Sequence, residues 1–357
     1  MPMLEPHRAA LETCAYCPKL SRAACPVSNA ERSETLTPWG KMSLAWFAAR
    51  GDVPVDAEHA APAWACTGCY ACREHCDHKN EVAAALTDAR AEFFAAGAAP
   101  EGARRVAARF PEREAEVARA IDALDPGPAV TGAAAVLLGC TYARHAPEVA
   151  GDALRATRTL LAKPVRAVHA CCGLPLLYAG DRPGFVAAAR RLADELAGTT
   201  HLVVVDPGCA RTLLVEYPKA GVDVPRPDLF VDLAARWQSR LRPLPDAPAF
   251  RYHDPCQLGR GLGRYDEPRA ILARIGGRPP LEMQRHHGEA DCSGGGGLLP
   301  ATRPASSSAI ADERIAEHRG LGGGVLVTAC ADSLRRFRAS GEPAEDLVSL
   351  VARALDH

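Results

Sequence analysis

The sequence predicts an α/β protein in which an all-α N-terminal module precedes two pseudo-repeated α/β halves with mostly parallel sheets. Three observations lead to this fold class. Residues 1 to about 125 have helical periodicity, short apolar runs alternate with amphipathic helices after residue 132, and the order of these runs then recurs. A chain of 357 residues is long enough for two or three domains, each with its own core.

Composition and charge limit the classes of function. The chain is 48% hydrophobic and 24% charged, with a formal net charge of −1, which is typical of a globular protein. This balance argues against a nucleic-acid partner, because phosphate binding needs clustered Lys and Arg. The N-terminus does not read as a secretory signal, and no apolar run approaches the ~18 residues of a membrane helix. We therefore expect a cytoplasmic protein with no transmembrane segment.

Capping residues mark the helices of the N-terminal module. Thr37 and Pro38 suit the N-cap and the first position of a helix. Asn80 is predicted to cap a second helix, and residues 101–123 continue with helical periodicity. We therefore expect a helical scaffold over residues 1–125.

The 14 cysteines are the most informative feature of the sequence. They are too sparse for a disulfide scaffold, and so many thiols in a reducing compartment indicate metal binding. All of them are candidate iron ligands, and they fall into four groups. In order, these are Cys14, Cys17 and Cys25; Cys66, Cys69, Cys72 and Cys76; Cys140, Cys171, Cys172 and Cys209; and Cys256, Cys292 and Cys330.

The second group, CTGCYACREHC, has the spacing C-x2-C-x2-C-x3-C. This is the bacterial [4Fe–4S] spacing, in which three thiolates bind one cluster and the fourth binds the other cluster of a pair. Cys25 is followed by proline and has the form of such a fourth cysteine. One predicted ligand set is therefore Cys66, Cys69 and Cys72 with Cys25.

The other predicted ligand set in this module is one cysteine short. It contains Cys14, Cys17 and Cys76, and Ser21 stands where a third local cysteine is expected. A serine oxygen, an unfilled iron site and a [3Fe–4S] cluster are all open at this position. Two histidines beside Cys76, at positions 75 and 78, are further candidates for the missing ligand.

Zinc is the alternative metal for this region, because four thiolates also suit a tetrahedral zinc site. Zinc sites normally pair two C-x2-C knuckles. Here three cysteines follow one another at two-residue gaps, and a fourth comes three residues later. The spacing therefore favours iron–sulfur clusters.

Strands alternate with helices after the predicted linker at 126–132. This alternation predicts βαβ units over 133–357, in two Rossmann-like halves at about 133–246 and 247–357. In each half, cysteines follow the apolar runs. Because the carboxyl ends of parallel strands meet at one edge of a sheet, we expect Cys140, Cys171, Cys172 and Cys209 to converge at one edge of the first half.

Three further motifs complete the pattern: CCGLP at 171–175, HDPCQLGRGLG at 253–263 and CSGGGG at 292–297. With the two N-terminal cysteine groups, they resemble the CCG-domain family. This family includes heterodisulfide reductase subunits and the iron–sulfur subunits of glycolate, lactate and anaerobic glycerol-3-phosphate dehydrogenases. The resemblance covers nearly the whole chain, and it implies that the N-terminal region is a ferredoxin-type module for two [4Fe–4S] clusters.

The resemblance implies an electron-transfer subunit of an oxidoreductase complex. The N-terminal module would hold one or two [4Fe–4S] clusters, with [3Fe–4S] as the alternative for one of them, and the CCG domain would hold a further iron–sulfur cluster. The implied partners are a flavin dehydrogenase with FAD and a quinone or thiol/disulfide acceptor, with peripheral attachment to the inner membrane through a partner. The alternative function is a heterodisulfide-like reductase with its active cluster at the CCG site.

Both halves depart from the five-cysteine pattern of the family. Asp206 stands where a partner of Cys209 is expected, while Ser293 and Ser333 stand at cysteine positions of the second half. The first half keeps four thiols, which is enough for one cluster, whereas a structural role is the alternative for the second half. The missing thiols argue against a noncubane cluster, and so against disulfide reduction.

Overall fold

The computed structural model describes residues 1–17, 21–126 and 134–356. Almost all of the predicted linker lies outside these ranges. The chain forms two compact units, each built from separate segments. The first unit consists of Met1–Phe110, Pro175–Phe185 and Gly288–Arg314, and the second consists of Pro111–Leu174, Val186–His287 and Ile315–His357.

The two units cut across the predicted boundary near residue 125. Two segments that follow this boundary, Pro175–Phe185 and Gly288–Arg314, belong to the first unit together with the N-terminal helices. Backbone carbonyls of both segments accept hydrogen bonds from Arg90, and glycines of the later segment contact the loop that carries the second cysteine group, as described below. The limits predicted for the domains along the sequence stay a prediction.

Helices dominate the first unit and flank the sheets of the second. In chain order, the described α-helices are α1 (Arg8–Ala15), α2 (Pro26–Glu31), α3 (Pro38–Arg50), α4 (Ala57–Ala60), α5 (Ala71–Glu74), α6 (Val82–Ala95), α7 (Glu101–Ala108), α8 (Phe110–Leu124), α9 (Cys140–His145), α10 (Pro147–Leu161), α11 (Leu174–Ala179), α12 (Arg182–Glu195), α13 (Pro207–Arg211), α14 (Tyr217–Lys219), α15 (Phe230–Arg236), α16 (Gly259–Leu262), α17 (Asp266–Gly276), α18 (Leu299–Thr302), α19 (Pro304–Gly320), α20 (Ala331–Ala339) and α21 (Leu347–Asp356).

The structure confirms one predicted helix cap and contradicts the other. At the start of α3, Thr37 Oγ1 accepts a hydrogen bond from Gly40 N at 3.2 Å. Asn80 was expected to cap α6 but does not. Its side chain donates instead to Ala10 O at 3.3 Å and to Cys14 Sγ at 3.2 Å. The Asn80 amide is thus directed to a cysteine sulfur rather than to a helix terminus.

The core of the first unit lies where α1 and α6 pack on α3. Met42, Trp64, Leu86 and Phe93 are almost completely buried in it. Burial of large apolar side chains is the main source of stability in such a core, at roughly 1.5–3 kcal/mol for each side chain. Packing in this core fixes the positions of the helices that carry the cysteines or lie next to them.

The second unit contains two four-stranded parallel sheets, of order β2-β1-β3-β4 and β6-β5-β7-β8. In chain order, the strands are β1 (Ala134–Leu137), β2 (Val165–Ala167), β3 (Leu202–Val204), β4 (Pro227–Leu229), β5 (Phe250–Tyr252), β6 (Leu281–Glu282), β7 (Val325–Thr328) and β8 (Glu345–Asp346). The repeated order confirms the predicted α/β class and the two pseudo-repeated halves. Strands β4, β6 and β8 were not predicted, because their sequences, PDL, LE and ED, form no apolar run.

In the first unit, the glycine-rich segment after Cys292 packs its backbone directly on the loop that carries Cys66. A Cβ atom at Gly296 would lie 2.4 Å from Thr67 O, and one at Gly297 would lie 2.1 Å from Cys66 O. Gly297 also has a φ of +63°, in the left-handed region that favours glycine. Only glycine therefore allows this approach.

Arg90 joins the same backbone segments. Its buried guanidinium donates to the carbonyl oxygens of Ala63 at 3.0 Å, Cys66 at 2.6 Å, Tyr178 at 3.2 Å and Gly297 at 3.2 Å. One side chain on α6 thus binds carbonyls from three separate parts of the chain. These bonds give a physical reason why the two later segments belong to the first unit.

The Gly297 contact gives a testable prediction. Gly297→Ala should lower the free energy of unfolding by about 1–2 kcal/mol for the left-handed backbone, plus about 1–3 kcal/mol for the collision with Cys66 O. Gly51→Ala is the matched control, because Gly51 has a φ of +79° but open space around a Cβ. Urea denaturation of both variants measures the difference, and equal losses would contradict the steric part of the prediction.

Candidate metal centres

The first candidate centre lies in the first unit, where four cysteines line one cavity of about 350 Å³. Cys66 follows a 3₁₀ turn over Ala61–Ala65, and Cys72 lies in α5. The other two are Cys69, in the turn before α5, and Cys25, just before α2. These are the four cysteines that the sequence grouped into one ligand set.

Local backbone geometry brings these thiols together. Tyr70 has a φ of +61°, a conformation that costs a non-glycine residue energy and is typical of constrained sites. It lies between Cys69 and Cys72, directly before the start of α5. Gly68 N donates to Cys66 Sγ at 3.4 Å, so the loop backbone also directs an N–H group at sulfur.

A buried lysine lies among these thiols. Lys41, on α3, is only 3% exposed, and its Nζ donates to Cys25 Sγ at 3.1 Å and to Ala65 O. Burial lowers its pKa, but the neighbouring sulfurs of Cys25, Cys66 and Cys72 outweigh this effect and raise the pKa above its ordinary value. Among the described residues no carboxylate pairs with this ammonium, so anionic sulfur is its natural counter-charge.

The donor set fits an iron–sulfur cluster. Burial raises the pKa of both Cys66 and Cys72, so these thiols lose their protons readily only when a metal replaces them. Four soft sulfur ligands beside a buried positive charge suit iron–sulfur chemistry better than a hard cation.

The second candidate centre is a cavity of about 420 Å³, also in the first unit. Its lining includes Cys14, Cys17 and Cys76, the three cysteines of the incomplete set, together with Ser21 and His78. Cys72 lines this cavity as well as the first one, so the two centres are neighbours.

Hydrogen bonds distinguish the non-cysteine candidates at this cavity. Asn80 donates to Cys14 Sγ at 3.2 Å and opposes the effect of burial, which raises the pKa of Cys14. His75 does not line the cavity, and its Nδ1 lies 3.0 Å from Ala71 O. Ser21 and His78 are therefore the side chains that the structure leaves as candidates for a fourth ligand.

The third candidate centre lies in the second unit, at the carboxyl ends of β1, β2 and β3. A chain of thiol hydrogen bonds links Cys140 to Cys171, Cys171 to Cys172, and Cys172 to Cys209, with 3.4 Å between the last two sulfurs. The structure thus brings together the four cysteines of the first half. Arg113 Nη2, from α8, donates to Cys140 Sγ at 3.0 Å.

The pKa values of these thiols are strongly raised. The bond from Cys140 lowers the pKa of Cys171, but the bond to Cys172 and burial outweigh it and raise the pKa to about 12. The bond from Cys172 lowers the pKa of Cys209, while burial and the nearby Asp206 raise it to about 12. Proton release must therefore accompany metal binding.

Asp206, at the position of a missing cysteine, has a structural role. Its Oδ1 accepts from Gly208 N at 2.9 Å and Cys209 N at 3.3 Å, and its Oδ2 accepts from Ala331 N at 3.2 Å. One carboxylate therefore fixes the Cys209 loop and the start of α20, directly after Cys330. Asp206 thus connects the loop after β3 in the first half to the equivalent loop after β7 in the second half.

The three cysteines of the second half do not share one unit. Cys256 and Cys330 lie in the second unit and influence each other electrostatically. Cys292 lies in the first unit, where its Sγ is 3.7 Å from Thr67 Oγ1 and accepts from Gly294 N at 3.3 Å. The expected convergence is thus seen in the first half, and iron binding by the second set stays a prediction.

The residues that donate to sulfur were not predicted from the sequence. Lys41, Asn80 and Arg113 lie 16, 66 and 27 residues from the cysteines they contact, so no local spacing identifies them. Two histidines lie close in sequence to strand-end cysteines but make other contacts in the structure. His169 contacts Glu195 and Asp122, and buried His253 packs edge-on against Phe337.

Comparison with known families agrees with this geometry. Residues 10–80 match the 4Fe-4S dicluster domain, and residues 134–214 and 250–333 match the Cysteine-rich domain known as CCG. The chain combines these two domains. The first match spans the seven N-terminal cysteines and the second spans the other seven, which confirms the predicted family resemblance and the iron–sulfur cofactors of both regions.

Similar proteins include components of reductases. One component of the CoM/CoB fumarate reductase of Methanothermobacter marburgensis is 28% identical over 86% of this chain and 64% of the relative. A probable membrane-anchored ferredoxin of Chromohalobacter salexigens is 31% identical over 87% of this chain and 50% of the relative. One component of the dihydromethanophenazine:CoB–CoM heterodisulfide reductase of Methanosarcina acetivorans is 29% identical over 52% of this chain and 49% of the relative.

The chain spans only 49% to 64% of the length of these three relatives. Within the described ranges, no helix has both the length and the apolar character needed to cross a membrane.

Asp346 is a buried carboxylic acid of the second unit, separate from the candidate centres. Asp346 is fully buried, and its Oδ2 accepts from Tyr142 OH at 2.6 Å while its Oδ1 accepts from Val348 N at 3.0 Å. Burial raises the pKa of Asp346 from 3.8 to about 7, against the opposing effect of these two donors. The folded protein therefore keeps this proton at pH values where the unfolded chain has released it.

This shift gives a prediction for stability against pH. The contribution of Asp346 to the free energy of unfolding should fall as pH rises from about 4 to about 7. In that window the folded state binds more protons than the unfolded state. Asp346→Asn should flatten this dependence, whereas Asp356→Asn, at an exposed carboxylate, should not. Urea denaturation from about pH 5 to about pH 8 measures the slopes, and equal slopes in wild type and Asp346→Asn would contradict the prediction.

Proposed function

We propose that this chain is an iron–sulfur electron-transfer subunit of an oxidoreductase. The observation that carries the proposal is the first candidate centre, where four cysteines line one cavity around a buried ammonium that has no carboxylate partner among the described residues. When bound, iron–sulfur clusters supply one-electron transfer. The protein supplies thiolate ligands, exclusion of water and hydrogen bonds to sulfur.

The proposed ligands follow the cavities and the thiol chain described above. Cys25, Cys66, Cys69 and Cys72 would hold one [4Fe–4S] cluster. Cys14, Cys17 and Cys76 would hold a second cluster, with Ser21 or His78 at its remaining iron. Cys140, Cys171, Cys172 and Cys209 would hold a third.

The proposed electron donor is a flavin dehydrogenase with FAD, and the proposed acceptor is a quinone or a thiol/disulfide protein. Support for a complex comes from the names of the relatives, two of which are components of reductases. We also propose a cytoplasmic location, with attachment to the inner membrane through a partner. Disulfide reduction by this chain is not favoured, since its best-formed CCG centre has four thiols rather than the family's five.

Metal analysis tests the proposal directly. Protein purified without oxygen should be brown and contain about 8 to 12 irons per chain with equivalent sulfide, because two or three four-iron centres are proposed. It should accept electrons from photoreduced FMN and pass them to a water-soluble quinone. Cys69→Ser and Cys172→Ser are reciprocal controls, since each should lose the iron of one centre and keep the others. Colourless protein containing zinc would refute the proposal.

The incomplete second centre makes a further prediction. Ser21→Cys should supply a fourth thiolate, raise the iron content by about one per chain and replace any [3Fe–4S] signal in the low-temperature EPR spectrum. Ser33→Cys is the control, since this half-buried residue is not part of the cavity lining. If Ser21→Cys leaves both iron content and spectrum unchanged, the fourth ligand is not supplied from position 21.

A further inference from the structure

We infer that Lys41 is a positioning residue that raises the reduction potential of the centre at Cys25, Cys66, Cys69 and Cys72. This inference rests on the proposed function, because it concerns the iron–sulfur cluster proposed there. It assigns to one buried side chain the task of making this centre easier to reduce than its ligands alone would allow.

The ammonium of Lys41 lies next to one of the cysteine sulfurs. Lys41 Nζ lies 3.1 Å from Cys25 Sγ and also donates to Ala65 O, the carbonyl directly before Cys66. The side chain is 3% exposed, so water screens its charge very little. Its ammonium is therefore screened less from the sulfur ligands than a charge on the surface would be.

The groups near Lys41 explain why this residue is charged. Burying an ammonium costs several kcal/mol unless an opposite charge compensates it. A hydrogen bond to Ala65 O alone would need only a neutral donor. The described residues near Lys41 that can carry negative charge are Cys25, Cys66 and Cys72, all of them proposed ligands. The charge is therefore matched to the thiolates and not to a structural salt bridge.

The two cavities of the first unit differ in the side chain that donates to cysteine sulfur. At the second cavity, the side chain that donates to cysteine sulfur is the neutral amide of Asn80, 3.2 Å from Cys14 Sγ. At the first cavity, the donor is a cation, and the Arg90 guanidinium adds a second positive charge close to Cys66. The two neighbouring centres thus differ in the charge placed beside their sulfur ligands.

The consequence for electron transfer follows from Coulomb's law. One-electron reduction adds one negative charge to the centre, taken from the flavin or chemical donor, while Lys41 keeps its proton throughout. A fixed cation at hydrogen-bond distance stabilises the reduced state more than the oxidised state, because the reduced state is more negative. Lys41 therefore favours residence of the electron at this centre.

The test is a redox titration followed by low-temperature EPR on anaerobic full-length protein. Lys41→Met removes the charge and both hydrogen bonds, Lys41→Gln removes the charge but keeps a donor for Ala65 O, and Lys41→Arg keeps the charge. At the wild-type midpoint potential, Met and Gln should each lower the reduced-to-oxidised ratio of this centre about tenfold or more, which corresponds to ~59 mV for one electron. Arg should change the ratio much less.

The matched control is Lys79→Met. Lys79 is exposed and donates to Glu74 O, so solvent screens its charge and its loss should shift neither centre appreciably. The signal of the second centre in the Lys41 variants is an internal reference and should stay constant.

Each outcome decides a specific point. Full iron content with an unchanged potential in Lys41→Gln would overturn the inference and leave Lys41 a structural role only. Loss of this centre's iron in Gln but not in Arg would also overturn it, since Lys41 would then be needed for assembly. Wild-type protein without iron would instead contradict the proposed function, so the two failures are distinguishable.

Discussion

Concentrating several thiolates in a cavity away from water is the electrostatic constraint on which the rest of this structure depends. Buried negative charge is costly unless positive charge or hydrogen-bond donors compensate it. At each candidate centre the fold supplies a side chain that donates to sulfur: Lys41 at Cys25, Asn80 at Cys14 and Arg113 at Cys140.

A second constraint acts on the backbone. In the Cys66 loop, Gly68 N donates to Cys66 Sγ, and the carbonyl oxygens of the loop need donors from elsewhere. Arg90 donates to Cys66 O and also to carbonyls of two later segments. The glycines after Cys292 then permit van der Waals contact that any side chain would prevent. A motif of the cysteine-rich domain thus helps to build the dicluster region.

The two α/β halves share a topology but differ in chemistry. Both sheets have the same strand order, and equivalent loops carry cysteines. In the first half these loops bring four thiols into one hydrogen-bonded chain, whereas Cys292 of the second half belongs to a different unit from Cys256 and Cys330. Asp206 accepts three backbone N–H groups where a thiolate ligand is expected, so it stabilises the loops of both halves. The halves retain a common scaffold, while their metal-binding capacity is unequal.

Local patterns in the sequence were enough to predict several elements of the fold. Spacing predicted the Cys66–Cys76 motif, periodicity and capping predicted α3, and alternation predicted five of the strands, because each signal lies within a few residues along the chain. Tertiary structure alone decided that Asn80 binds Cys14 Sγ rather than a helix terminus, that Lys41 and Arg113 contact sulfur, and that Cys292 contacts Thr67. The physical reason is that charge compensation and close packing act between residues far apart in sequence, where no spacing rule applies.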